Sequence, residues 1–311
     1  MQTSFRLLPV LTLAVLTSLT ACKKEDSKST NDSTSELSTH ADDQNRVSSQ
    51  LDAVANDVSF SIEGSAAYSG RLQSPLGITT CDATVSFDSL SNPRKITITY
   101  TGTGCNIGYK RTGTVVASMP ANVHWKDQGA TITVTYQNLK VTRLSDNKSI
   151  TINGSHTITN VSGGLLFNLS NQQSITHDIA STGLTVSFDD NTQRSWQVAN
   201  RRVFTYDNGI VLNVTGNHVI GNTEGVSEWG VNRFGHNFIT SITQPLVIRQ
   251  DCAFRLTSGQ VKHTDGIGNA TVTFGLDVTG KPTVCPGTGF YYFKVEWTGP
   301  NGATANVIWP Y

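Results

Sequence analysis

The stretch TITVTYQNLKVTRLSDNKSITIN (131–153) decides the fold class. Thr131, Thr133 and Thr135 alternate with Ile132, Val134 and Tyr136. A period of two is that of a strand with one buried face, and β-branched and aromatic side chains suit a pleated surface. The segment SDNK (145–148) interrupts the pattern with residues that close turns on their own backbone. A second alternating run, SITIN (149–153), follows at once, another short strand pattern set off by a turn signal.

The same texture spreads outward in both directions. ATVSF (83–87), KITITY (95–100), LTVSF (184–188), RRVFTY (201–206), GIVLNV (209–214), NATVTF (269–274) and YYFKVEW (291–297) are all short strand patterns. Turn signals such as SNPR, DDNT, YDNG and TGPNG separate them. In all, roughly fifteen to eighteen short strands are expected. An open sheet rarely exceeds about ten strands without curling or splitting. The expectation is therefore a mainly β protein: a large antiparallel β-sandwich or two β subdomains in series, with one short N-terminal amphipathic helix.

Two echoes suggest that the β region 61–311 is an internal duplication, approximately 61–165 and 166–311. A cysteine pair brackets strands near each end, and GSHTITN (154–160) and GNHVIGN (216–222) both fit G-x-H-x-I-x-N. The helix is expected over 38–60. There Val47, Leu51, Val54 and Val58 form an apolar stripe at i, i+4, i+7 and i+11. Thr39 and Asp42 resemble a capping box, and Asp42 and Asp43 suit the positive end of a helix dipole. Such a helix would cover a sheet face or edge.

The N-terminus carries an export signal. Leu7 to Ala21 is an apolar run too short to span a membrane comfortably, and it ends in Leu19-Thr20-Ala21-Cys22. That ending looks like a lipobox, which makes residues 1–21 a lipoprotein signal peptide and Cys22 the acylated first residue. A plain secretory signal with an unrelated cysteine is the alternative. Residues 22–37, rich in charge and Ser/Thr, cannot bury enough apolar surface to order themselves and are expected as a flexible tether.

Four cysteines remain, Cys81, Cys105, Cys252 and Cys285. In an exported chain an even number points to disulfides. The pairs Cys81–Cys105 and Cys252–Cys285 are favoured because each brackets one hairpin-like stretch. Spacing for a zinc site is lacking, so no metal or other cofactor is expected. Charged residues make up 15% of the chain and the formal net charge is zero. Without a basic patch, nucleic-acid binding finds no support.

Catalytic patterns are sparse. Asp189 and Asp190 read as a solvated turn rather than as paired glycosidase carboxylates, and no G-x-S-x-G occurs. His156 and His218 could meet if the two echoes packed symmetrically; hydrogen bonding across strands explains the same pattern. The segment SEWGVNRFGHNF (227–238) places Trp229, Arg233, Phe234 and His236 among glycines, where a ligand could approach. A loop whose aromatics simply pack on the sheet is the competing reading.

The segments HWKDQGATITVTYQNLKVTRLSDNKSITINGSHTITNVSGG (124–164), QPLVIRQDCAFRLTSGQV (244–261) and VEWTGPNG (295–302) resemble an uncharacterised group of Bacteroidetes lipoproteins. The resemblance covers nearly the whole mature chain and implies an envelope location, in the outer membrane by a lipid anchor, at the cell surface or its periplasmic face. It implies no activity. The functional expectation is a non-catalytic binding or structural protein of the cell envelope. Its partners would be the membrane, through the N-terminal lipid, and a glycan or envelope protein. The alternatives are a surface carbohydrate-binding protein using exposed aromatics, and a hydrolase with an unrecognised site.

Overall fold

The computed structural model describes residues 27–70, 81–103, 108–285, 289–299 and 302–311. Helix α1 (Ser27–Gly64) and a single turn, α2 (Ala66–Ser69), precede the sheet. The strands that follow are β1 (Ala83–Asp88), β2 (Arg94–Thr101), β3 (Tyr109–Met119), β4 (Ala130–Arg143), β5 (Ser149–Asn160), β6 (Ile175–Ser187), β7 (Gln193–Tyr206) and β8 (Ile210–Gly216). They continue as β9 (His218–Ile220), β10 (Thr223–Val231), β11 (Asn237–Arg249), β12 (Arg255–Asp265), β13 (Gly268–Leu276), β14 (Tyr292–Thr298) and β15 (Thr304–Pro310).

All fifteen strands belong to one antiparallel sheet, as the alternation led us to expect of a mainly β antiparallel chain. Residues 131–153 form the β4–β5 hairpin, with Val141 opposite Ile150 and, beyond it, Val134 opposite His156. The sheet is not divided into two subdomains in series. β5 pairs with β6 along its length, from Thr151–Ser187 to Asn160–His177, straight across the suggested boundary at 165/166. Most connections are hairpins, so most strands find their partner next in sequence.

The sheet solves its size problem by curling around α1. Val47, Leu51, Val54 and Val58, the predicted stripe, are buried together with Ala55 and Ile62 in a core that also contains Ile96, Val115, Ile132, Ile152, Val186 and Trp196. Burying each such aliphatic side chain stabilises by roughly 1.5–3 kcal/mol. The helix meets strands far apart in the sheet order. Asp57 contacts Arg111 of β3, Asp52 contacts Arg202 of β7, Ser48 contacts Glu228 of β10, and the His40 ring lies 4.6 Å from that of His263 in β12.

The molecule therefore has two rims. At the upper rim, near helix residues 40–46, lie the β4–β5, β6–β7 and β10–β11 turns: Asp42 pairs with Arg143, and Asp43 with Arg233. At the lower rim α1 ends. Glu63 there accepts hydrogen bonds from the backbone N–H groups of Leu166 and Phe167, in the one-turn 3₁₀ helix Leu166–Asn171 between β5 and β6.

Helix α1 begins at Ser27, so residues 27–37, expected as part of the tether, are helical. Thr39 is consequently no N-cap. Asp42 and Asp43 lie more than three turns into the helix, beyond the reach of its terminal charge, and serve instead in ion pairs. The expected signal peptide 1–21 and Cys22 lie outside the described residues.

One irregularity breaks the meander. β8 and β10 occupy the same place between β7 and β11: β8 pairs at residues 200–206 and 246–249, β10 at residues 196–198 and 237–241. They part at Gly216, where a Cβ would sit 1.8 Å from the carbonyl oxygen of Gly225, so only glycine fits. Between them the short strand β9 folds back on the start of β10 and carries the second G-x-H-x-I-x-N.

Candidate functional site

The inner face of the sheet is polar wherever α1 presents a polar group. Three clusters result. In the first, Arg111 is gripped on both sides. Its Nε and Nη2 donate to the Asp82 carboxylate at 2.7 and 2.8 Å, and its Nη1 to Asp57 at 2.9 Å. The Tyr100 hydroxyl donates to Asp57 at 2.8 Å, and the Tyr100 ring lies under the guanidinium at 4.2 Å. Burial raises the pKa of Asp57, and the Arg111 charge opposes that rise.

The second cluster is the upper rim. Arg233 makes a two-pronged bond to Asp43 at 2.6 and 2.7 Å and a further one to Asp189 at 3.0 Å, while stacking over Phe188 at 4.6 Å. Burial raises the pKa of Asp43, against the hydrogen bond and charge of Arg233.

The third lies between them. Glu228 of β10 accepts from Ser48 Oγ at 2.5 Å, Trp196 Nε1 at 3.1 Å and Gln44 Nε2 at 3.3 Å. Gln44 also donates to Thr240 Oγ1 at 2.8 Å, and Thr240 Oγ1 lies 2.9 Å from His263 Nδ1. His40 fills the middle, its ring 4.7 Å from Phe238 and 5.9 Å from Trp196. Burial pushes the Glu228 carboxyl up to about 7 despite its three donors. Burial, reinforced by neighbouring His263, pulls His40 down to about 3. These clusters tie the helix to the sheet; the Arg233 cluster opens to solvent at Asp189, whose side chain is 29% exposed.

The residues singled out for ligand contact do not form one site. Trp229 follows inward-facing Glu228 and so lies on the outer face of β10, and His218 of β9 stacks on its ring at 4.3 Å and 12°. Arg233 is consumed by Asp43 and Asp189 at the upper rim. Phe234 is exposed at the tip of the same turn, and His236 is half-buried beside Gly266. The histidines of the two echoes are also separated. His156 is buried on the inner face against Tyr136, and His218 sits outside on Trp229.

Cys252 and Cys285 form a disulfide, with Cα atoms 5.3 Å apart, as the spacing led us to expect. Cys81 is disulfide-bonded as well; Cys105, its expected partner, lies outside the described residues. Asp251 approaches the Cys252–Cys285 pair, but sulfurs joined to each other cannot ligate a metal as thiolates.

The lower rim is where sequence reasoning missed a feature. The turns there are knitted together: Tyr68 donates to the carbonyls of Asp88 and Lys95, Arg249 bonds Asp207, Gln250 accepts from Ile210 N–H, and Arg255 donates to the carbonyl of Gly289. Fourteen large apolar side chains are exposed among the described residues, and all but Leu144, Val219 and Phe234 lie at or beside this rim. Phe167, Tyr206, Phe254 and Trp309 are more than half exposed, at 64%, 53%, 58% and 51%. They come from four connections or strand ends distant in sequence, which is why no local motif announced them. Comparison with family models, with curated proteins and with solved structures finds no match to this chain.

Proposed function

We propose that this chain is a non-catalytic binding protein of the cell envelope, tethered by a lipid on Cys22 and presenting its lower rim to a partner. The observation that carries the reading is the one-sided distribution of exposed apolar side chains. They gather at the end where α1 finishes, and α1 is 38 residues long, about 57 Å from end to end. An anchor before Ser27 would hold that rim away from its own membrane. Exposed apolar side chains gathered at one end of a molecule are a feature of interaction sites.

The lipobox-like Leu19-Thr20-Ala21-Cys22 supports the lipid, and the resemblance to Bacteroidetes lipoproteins supports an outer-membrane location. Within this reading, an envelope protein or a glycan is the partner. For a glycan, the rim aromatics Tyr206, Phe254 and Trp309 are better placed than Trp229, whose ring is already covered by His218.

The test is photo-crosslinking in intact cells that export the full chain. A benzophenone side chain would replace Phe254 at the lower rim or Leu144 at the upper rim. Adducts with protein or surface polysaccharide from position 254, and none from 144, are the expected result. Equal labelling from both positions, or none from either, would overturn the reading.

A further inference from the structure

We propose that the interior holds one bound water molecule between α1, β5 and β7, hydrogen-bonded to His156, Asn200 and Arg202. A cavity of about 10 Å³ lies there, lined by Asp52 of α1, His156 of β5 and Asn200 and Arg202 of β7, with Leu51 and Leu184 among its apolar walls. Three buried polar atoms of these residues have no hydrogen-bond partner: His156 Nε2, Asn200 Oδ1 and Arg202 Nε. The residues themselves are 3%, 8% and 6% exposed. Leaving a buried polar atom unpaired costs roughly 1–3 kcal/mol, so three in one place call for a shared partner.

Size and chemistry both select water. A space of this order admits about one water and nothing larger, and a buried water typically makes about three hydrogen bonds. The guanidinium of Arg202 is always protonated, so Nε–H can only donate; the water oxygen accepts it. The two water hydrogens then go to the two remaining atoms, the Asn200 amide oxygen and His156 Nε2. Donors and acceptors balance with none left over. An anion would lose the Asn200 oxygen as a partner and face the Asp52 carboxylate, which binds Arg202 from the helix side. A cation would meet the guanidinium.

In this arrangement His156 Nε2 accepts from the water, which places the ring proton on Nδ1. The arrangement also gives a role to the buried histidine of β5 and the buried asparagine of β7. Together they join β5 and β7 to the Asp52–Arg202 ion pair of α1.

The experiment is ¹⁵N-resolved NMR on the full-length chain. The expected result is a His156 Nε2 shift in the range of an unprotonated ring nitrogen, together with a cross-relaxation peak between the Arg202 Nε–H and a water resident for longer than a nanosecond. Asn200→Leu should abolish or strongly weaken that peak while the remaining amide spectrum persists. A protonated Nε2 in the wild type would overturn the proposal. So would the lack of any water peak at Arg202 Nε–H in a folded sample.

Discussion

Asp57 on α1 and Arg111 on β3 lie 2.9 Å apart, with Asp82 on the far side of the same guanidinium at 2.7 Å. This pair ties the C-terminal half of the helix to the early strands. Removing the cation while keeping its bulk would strand two carboxylates in the interior, a change that typically costs about 3–5 kcal/mol. Arg111→Met should therefore lower the urea midpoint sharply. Arg111→Lys should recover only part of the loss, because an ammonium cannot span both carboxylates in one plane.

Leu51 and Phe60 share a helix but differ in surroundings, Leu51 being buried and Phe60 being 59% exposed. Leu51→Ala should destabilise by about 2–5 kcal/mol through lost burial and an unfilled cavity. Phe60→Ala should change stability by no more than about 0.5 kcal/mol. Equal effects in denaturant titration would show that the helix does not face the sheet as described.

Acid should weaken the fold. Burial holds His40, His156 and His177 at about 3, below the 6.5 of a free imidazole. The unfolded chain therefore takes up three protons that the folded chain refuses, and stability is lost as pH falls through about 6.5. Glu228 acts oppositely. Its carboxyl is raised to about 7, so the folded state binds its proton first and stability is lost as pH rises from about 4.5 towards 7. Asp43 and Asp57, also raised by burial, act like Glu228 towards the lower end of that window. Near pH 6 three imidazoles outweigh one carboxyl. The denaturation midpoint should fall from pH 7 to pH 5.5, and Glu228→Gln should steepen that fall by removing the offset. A flat profile would contradict the burial of these histidines.

The Cys252–Cys285 bridge spans 33 residues at the lower rim. In the chain-entropy account a loop of that length contributes about 4 kcal/mol. Replacing both cysteines by serine should cost up to that amount, seen as a lower melting temperature in non-reducing buffer.

The strand faces were legible because period two is written residue by residue, as in Ile132, Val134 and Tyr136. The order of strands was not, since alternation sets which side is buried but not which strand lies beside it. The helix stripe Val47–Leu51–Val54–Val58 was visible, yet its start was not: Ser, Thr and Asp at 27–37 are indifferent helix formers and gave no periodic signal. The interior ties left a trace that was overlooked. Arg111 has the same parity as Val115 and Ala117 in β3, and Asp43 and Asp57 flank the apolar stripe of α1. Charged residues at inward positions on both elements are the sign of buried pairing. The lower rim left no such trace, because its exposed side chains come together only through the curl of the sheet.

The central structural claim is that α1 forms the inner layer of the fold. Native-state hydrogen exchange resolved along the chain tests it most directly. The amides of residues 44–62 should exchange only through global unfolding, with the same free energy and denaturant dependence as those of β4 to β7. Exchange of α1 within minutes while those strands stay protected would mean that the sheet stands without its helix, and the account would fail.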